Sequence, residues 1–412
     1  MSTFTFEKIP NKTNIPAYLL YLPYLNSVSA AVIVKAGTVD EIWPQEAGLA
    51  HALEHLALRG TKRFPSAQLL SGYIEEVGGF KKATTDYEKT MYHGQVPVQY
   101  AERLIEILAE IVNFYLIPEN TISKEIQVIQ EEMKRKQDSP FYVVDHMARS
   151  FIFGSHPLGR EVLGIEESLQ KLTRTDILNF ASRHYYPDNF TILLIGNLKL
   201  DKAGTFIEKY FVAGGKQSPN IRPQIQLIDN KKRELKFYHN IQQVHLELLA
   251  PISSSQEKSN KALRLFCEMI SGGVISPLFQ EIREKRGLCY NLSTFISKYS
   301  IGLFSIHVGI KPESCEEVIS LILKVIEDNK NSVQLFNKTK QRVIGSLLLS
   351  FEDPDWIILK AAQDVIYQGK PVGYQEFIKE MGSITIKDIE NAVDTYLAPN
   401  NFRRIIMLPK SN

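Results

Sequence analysis

The chain repeats itself. Near the end of its first half stands LTRTDILNFASRHYYPDNFTILLIGNL, and near its C-terminal end stands ITIKDIENAVDTYLAPNNFRRIIMLP. Thr173 pairs with Thr385, Asp176 with Asp388, Ile177 with Ile389, Pro187 with Pro399, Asn189 with Asn401 and Phe190 with Phe402, each 212 residues apart. Upstream, HPLG at 156–159 matches KPVG at 370–373, now 214 apart. So many matches at nearly one offset mark a duplicated unit. By length alone, 412 residues could form about two to four domains. The repeat narrows this to two related halves: residues 1–213 and 233–412, joined by GGKQSPNIRPQIQLIDNKK at 214–232. That connection is rich in Gly, Pro, Ser and charge and has no clear period.

Strand-like and helix-like patterns alternate, so each half reads as α+β. SVSAAVIVKA at 27–36 reads as a strand, 45–58 as a helix stopped by Gly60, and 66–77 as a helix closed by Gly78-Gly79. Strands at 80–86 and 90–96 share a short turn, and helices follow at 98–115 and 118–137. The net charge of +2 provides no whole-protein field for nucleic acid. Cys267, Cys289 and Cys315 form no CxxC pair, which argues against a disulfide scaffold or a cysteine-built zinc site. No apolar run reaches the roughly 18 residues of a membrane span, and MSTFTFEKIPNKTN lacks the apolar core of a secretory signal. The expectation is a soluble cytoplasmic protein without a nucleic-acid partner. GxGxxG, GxxxxGK[ST] and GxSxG are absent, so nucleotide-binding and serine-hydrolase chemistry lack support.

His51-Ala52-Leu53-Glu54-His55 is the sharpest chemical feature. At 100° per residue, Glu54 sits about 60° to one side of His51 and His55 about 40° to the other. Two imidazoles at i and i+4 can share one metal and leave a carboxylate beside it, the geometry of a zinc hydrolase helix. A single histidine on an apolar helix is more often a core residue. Two with an interposed glutamate are costly to bury without a partner. Zinc needs a third protein ligand and an open position. ENTISKEIQVIQEEMKRKQDSP offers Glu125, Glu131 and Glu132. As a helix, it buries Ile122, Ile126, Ile129 and Met133. Glu125 and Glu132 then fall at about −40° and −60° from Ile129, at the edge of that stripe. Glu131 falls near 200°, on the solvated face, so helical phase leaves Glu132 or Glu125.

The segment GLAHALEHLALRGTKRFP at 48–65 resembles the pitrilysin/insulinase family of zinc metallopeptidases, whose signature is HxxEH. The resemblance implies two similar halves, each a mainly antiparallel sheet packed with helices. It implies Zn²⁺ held by His51, His55 and Glu132, with Glu54 as catalytic base and Glu125 orienting the ligands by hydrogen bonding. GSHPLGREVLGIEESL at 154–169 and PLFQEIREKRGLCYNLST at 277–294 extend the likeness, and the latter maps the family's substrate-holding Arg and Tyr onto Arg283 and Tyr290. The hairpin GGFKKATTDYEKTMYHGQV matches the family's substrate-binding edge strand, but Lys82 stands before Ala83 where an Asn is usual. The implied activity is endopeptidase cleavage of peptides or unfolded segments enclosed between two such units. A homodimer is expected, because one chain carries both the zinc residues and the Arg/Tyr pair; some relatives divide these roles in a heterodimer. The rival from another class is a non-catalytic scaffold or partner subunit, but such members lose zinc residues and this chain keeps all of them.

Overall fold

Runs such as VSAAVIV and FTILLIG are apolar at consecutive positions, a pattern that suits a strand covered on both faces. The protein, seen here as a computed structural model, is described over residues 4–214, 232–252, 257–298 and 301–410. All of the expected connection except Gly214 and Lys232 lies outside these residues. The first half contains β1 (Phe6–Lys8), β2 (Ala17–Tyr21), β3 (Ser27–Val34), β4 (Phe80–Thr85), β5 (Thr90–Pro97) and β6 (Phe190–Gly196). Its helices are α1 (Leu49–Ala57), α2 (Ala67–Glu75), α3 (Ala101–Asn113), α4 (Glu119–Gln137), α5 (Pro140–Phe153), α6 (Glu166–Leu169), α7 (Arg174–His184) and α8 (Leu200–Tyr210). The second half contains β7 (Glu234–His239), β8 (Val244–Ile252), β9 (Cys289–Lys298), β10 (Gly302–Ile310) and β11 (Arg403–Pro409). Its helices are α9 (Glu257–Ser271), α10 (Cys315–Asn329), α11 (Val333–Ser350), α12 (Pro354–Gln368), α13 (Tyr374–Ser383) and α14 (Ile386–Tyr396).

The first sheet has the order β1-β2-β6-β3-β5-β4 and the second β7-β11-β8-β10-β9. Apart from the extra β1 the two orders correspond strand for strand. Each sheet is antiparallel except for one parallel pair, β2 with β6 and β7 with β11. This is the α+β duplication the repeat implies. The matched residues of the repeat are its punctuation. Thr173 accepts from the Asp176 backbone N–H, while the Asp176 carboxylate accepts from Thr173 N (2.9 Å) and Oγ1 (2.6 Å). Thr385 and Asp388 form the same reciprocal cap on α14, at 2.9 and 2.7 Å. Pro187 and Pro399 then open short turns that lead into β6 and β11. Each cap satisfies backbone donors that the helix start would leave orphaned. Thr173→Ala and Thr385→Ala should each therefore lower stability by about 1 kcal/mol, read as a shifted urea midpoint at unchanged slope.

The chain forms two compact units, and neither is contiguous in sequence. The first unit takes the chain up to Lys134, resumes at Glu161, and adds Leu348–Phe377. The second takes Arg135–Arg160, the chain on to Leu347, and the end from Ile378. In the first unit, Val28, Ala30, Val32 and Val34 of β3 pack with α3 and α8 in one core. The opposite face of β3 and β6 is buried under α12. In the second unit, α5 packs on β8 and β11. Thus α5 and α12 have equivalent places on the two sheets. Their opening prolines, Pro140 and Pro354, are 354 − 140 = 214 apart, the offset of the HPLG/KPVG match.

The expected elements from residue 27 to 137 all form. The helix expected over 45–58 begins only at Leu49. Gly48 precedes it with φ of 87°, and a Cβ there would stand 2.6 Å from the Leu163 carbonyl oxygen. The first turn of α1 is capped from outside: Glu41 accepts from Gly48 N (3.1 Å) and Ala50 N (2.9 Å). A carboxylate at a helix N-terminus satisfies orphan donors and matches the helix dipole.

Candidate metal centre

Two apolar stripes bring the chemistry together within the first unit. Leu49, Ala52, Leu53 and Leu56 of α1 pack on Ile122, Ile126 and Ile129 of α4 and on Ile177 and Phe180 of α7. Met133 is half-buried against the same cluster. This packing turns the His51/His55 edge of α1 toward the Glu125/Glu132 edge of α4. His51 Nε2 lies 3.7 Å from Glu132 Oε2, and His55 Nε2 lies 3.8 Å from the same oxygen. The three residues offer ligand atoms that all fall within 4.8 Å of one another.

Donors on a tetrahedral zinc, at bonds of about 2.0–2.2 Å, stand about 3.3–3.6 Å apart. The two histidine–glutamate spacings need only a few tenths of an ångström of contraction, and two imidazoles with one carboxylate form a known catalytic donor set. The site fits zinc. Glu131 is discarded by the geometry as by helical phase, for it is solvated and pairs with Lys134 at 2.8 Å.

Glu54, buried between the two histidines in sequence, accepts from the Thr85 hydroxyl at 2.7 Å. Tyr92 and Tyr185 lie behind it with their hydroxyls 3.0 Å apart. Burial above all pushes both phenols well above the usual tyrosine range, with Tyr185 adding to the rise for Tyr92 and the Glu54 charge a smaller contribution to each, so they stay neutral. Glu125 is buried and sits 3.5 Å from His55 Nδ1, opposite the ring nitrogen that faces Glu132. Its partner is Arg59, whose Nη2 donates to Glu125 Oε2 at 2.7 Å.

β4 is the outer strand of its sheet. Lys82 reaches Asp355 of α12 at 3.3 Å and lies over the Phe80 ring. Since side chains alternate along a strand, Lys82 and Thr85 occupy opposite faces, so the Lys82 ammonium points away from Glu54. Ala83 shares the Thr85 face and packs on the core. In the second unit, Arg283 and Tyr290 lie side by side. The guanidinium stands 5.2 Å from the Tyr290 ring and 4.7 Å from that of Phe279. Tyr290 is 72% exposed at the start of β9, itself an outer strand.

Arg59, Thr85 and Glu41 were missed by reasoning from sequence. Arg59 carried a signal, a cation four residues past His55, just beyond the end of the helix. Thr85 carried a weaker one, two residues past Ala83 on the same strand face. Glu41 carried none.

Residues 19–166 match the family described as Insulinase (Peptidase family M16), and residues 171–343 match the Peptidase M16 inactive domain. The HxxEH helix falls in the first match. α9, which follows β8 as α1 follows β3, contains no histidine. An uncharacterized zinc protease of Rickettsia felis is 28% identical, covering 95% of this chain and 94% of the relative. The uncharacterized zinc protease YmxG of Bacillus subtilis is 26% identical, covering 95% of each chain. A crystal structure of a protease from Helicobacter pylori superposes with a TM-score of 0.88 at 19% identity, covering 98% of this chain and 100% of that one. A Pseudomonas fluorescens structure described as a peptidase M16 inactive domain gives 0.87 at 17%, covering 99% of each chain. These two structural likenesses bear on the fold alone.

Proposed function

Because the chain belongs to the insulinase family of peptidases, M16, we propose that it is a zinc-dependent endopeptidase acting on peptides or unfolded segments. The observation that carries this reading is the convergence of His51, His55 and Glu132 beside Glu54. Zinc, when bound there, supplies a water of lowered pKa and polarises the scissile carbonyl. Glu54 takes the proton of the attacking water and delivers it to the leaving amine. The Thr85 hydroxyl, 2.7 Å away, fixes the rotamer of that carboxylate.

The outer position of β4 supports substrate binding as an added strand, where main-chain hydrogen bonds provide affinity. Lys82 and Ala83 then contribute through their backbone, with Lys82 held by Asp355. Arg283 and Tyr290 form a second substrate contact and support the oxyanion. A dimer, of like chains or with a related partner, encloses the peptide. The scaffold alternative is disfavoured by a complete donor set with its adjacent glutamate.

The test is incubation with a random peptide library, read by mass spectrometry with and without a chelator. Cleavage that a chelator stops and added zinc restores is expected, from a species whose mass by light scattering is that of two chains. Cleavage that survives chelation would overturn the metal reading, and full activity in a monomer would remove the dimer. No cleavage by a zinc-loaded dimer would favour the scaffold role.

A further inference from the structure

The Glu125 carboxylate has more work to do than its place in sequence indicates. It is 5% exposed, and its Oε2 atom is shared. The Nη2 of Arg59 donates to it at 2.7 Å, and His55 Nδ1 lies 3.5 Å from it. The Arg59 Nε stands 2.7 Å from the other oxygen, Oε1, off the line of a hydrogen bond, so the guanidinium is hydrogen-bonded at Oε2 and held against Oε1 by charge. Arg59 is itself outside the helix that carries His55, since α1 ends at Ala57. It is only part-buried, with its side chain 38% exposed, whereas the carboxylate it grips is nearly enclosed.

We infer that Arg59 is a positioning residue for the metal centre, acting on His55 through Glu125. The inference rests on the zinc reading above. A histidine that ligates through Nε2 must carry its proton on Nδ1, and the acceptor of that proton sets both tautomer and ring orientation. Glu125 is the acceptor in reach. A glutamate has three side-chain torsions, and a plain contact with one imidazole leaves its plane free to turn. A guanidinium hydrogen-bonded to one oxygen, with a second nitrogen against the other, restrains that plane at two points, which a lysine's single point charge does not. Lys81 of β4 is near enough for Arg59 to lower the Lys81 pKa, after the larger effect of its own burial. A second cation is therefore nearby, yet the arginine makes the pairing. The sequence chain thus runs Arg59, Glu125, His55, metal.

The test measures zinc affinity of the full chain, stripped and then titrated against a chromophoric chelator. Wild type, Arg59→Met, Glu125→Gln and the double variant are compared. Wild type binds one zinc on the proposed reading. Arg59→Met should weaken binding by about 10-fold or more, the size of an outer-partner loss. The double variant should bind within about twofold of Glu125→Gln alone, because the arginine has nothing left to act through. Cobalt-loaded Arg59→Met should also show a changed visible band, since the His55 ring is released. Melting of the metal-free proteins checks folding, and Arg59→Gln replaces Arg59→Met if the latter does not fold. Unchanged affinity in the single variant, or a double variant that loses the product of both effects, overturns the inference and leaves the zinc reading standing. A wild type that binds no zinc overturns the zinc reading itself.

Discussion

Glu54→Gln is expected to lower kcat by roughly 10²–10⁴-fold, the usual worth of a positioned general base, while zinc content stays at the wild-type value. The amide keeps the volume of the carboxylate and can still accept from Thr85, whose hydroxyl now stands 2.7 Å from Glu54 Oε2. It cannot take up a proton at neutral pH. KM should change little, because the substitution removes no proposed substrate-binding contact. Metal analysis and steady-state kinetics on one preparation separate the two effects. A variant with wild-type kcat would eliminate Glu54 as base, and a variant depleted of zinc would instead make it part of the ligand set.

The parts of this site that were legible in sequence are those governed by helical periodicity. His51 and His55 are one turn apart, and Glu125 and Glu132 are two turns apart on a stripe edge marked by Ile122, Ile126 and Ile129. Such spacings survive folding because the helix itself enforces them. Duplication was legible for a related reason. Thr173/Asp176 and Thr385/Asp388 are caps that only a few residue types can make, so they persist while core positions drift among Ile, Leu and Val. What could not be read is which surface each apolar stripe covers. α5 and α12 have comparable apolar faces, and nothing in either says that α5 lies on β8 while α12 lies on β3 and β6. Glu41 was equally hidden. It caps α1 from a loop seven and nine residues away, an arrangement set by the turn through Gly48 and not by any period.

His51→Ala is expected to abolish stable zinc binding, and this should be the largest single loss in affinity at the site. His51 is 6% exposed and its Nε2, like that of His55, faces Glu132 Oε2. Alanine leaves His55 and Glu132, one ligand short of the three a catalytic zinc requires. The loss should therefore exceed the roughly 10–100-fold cost of disturbing an outer partner such as Glu125 or Arg59. Two readouts follow. Metal per chain should fall from about one to near zero after dialysis. The zinc-induced rise in melting temperature, which reflects RT ln(1 + [L]/Kd) and amounts to about 4 kcal/mol at a thousandfold excess over Kd, should vanish. The metal-free variant should melt close to metal-free wild type, because α1 is held by Leu49, Leu53 and Leu56 against α4 and α7. A His51→Ala protein that keeps its zinc and its melting shift would place the metal elsewhere and remove the basis of the proposed chemistry. If melting of the metal-free form alone collapsed, His51 would be a core residue whose ligand geometry is incidental.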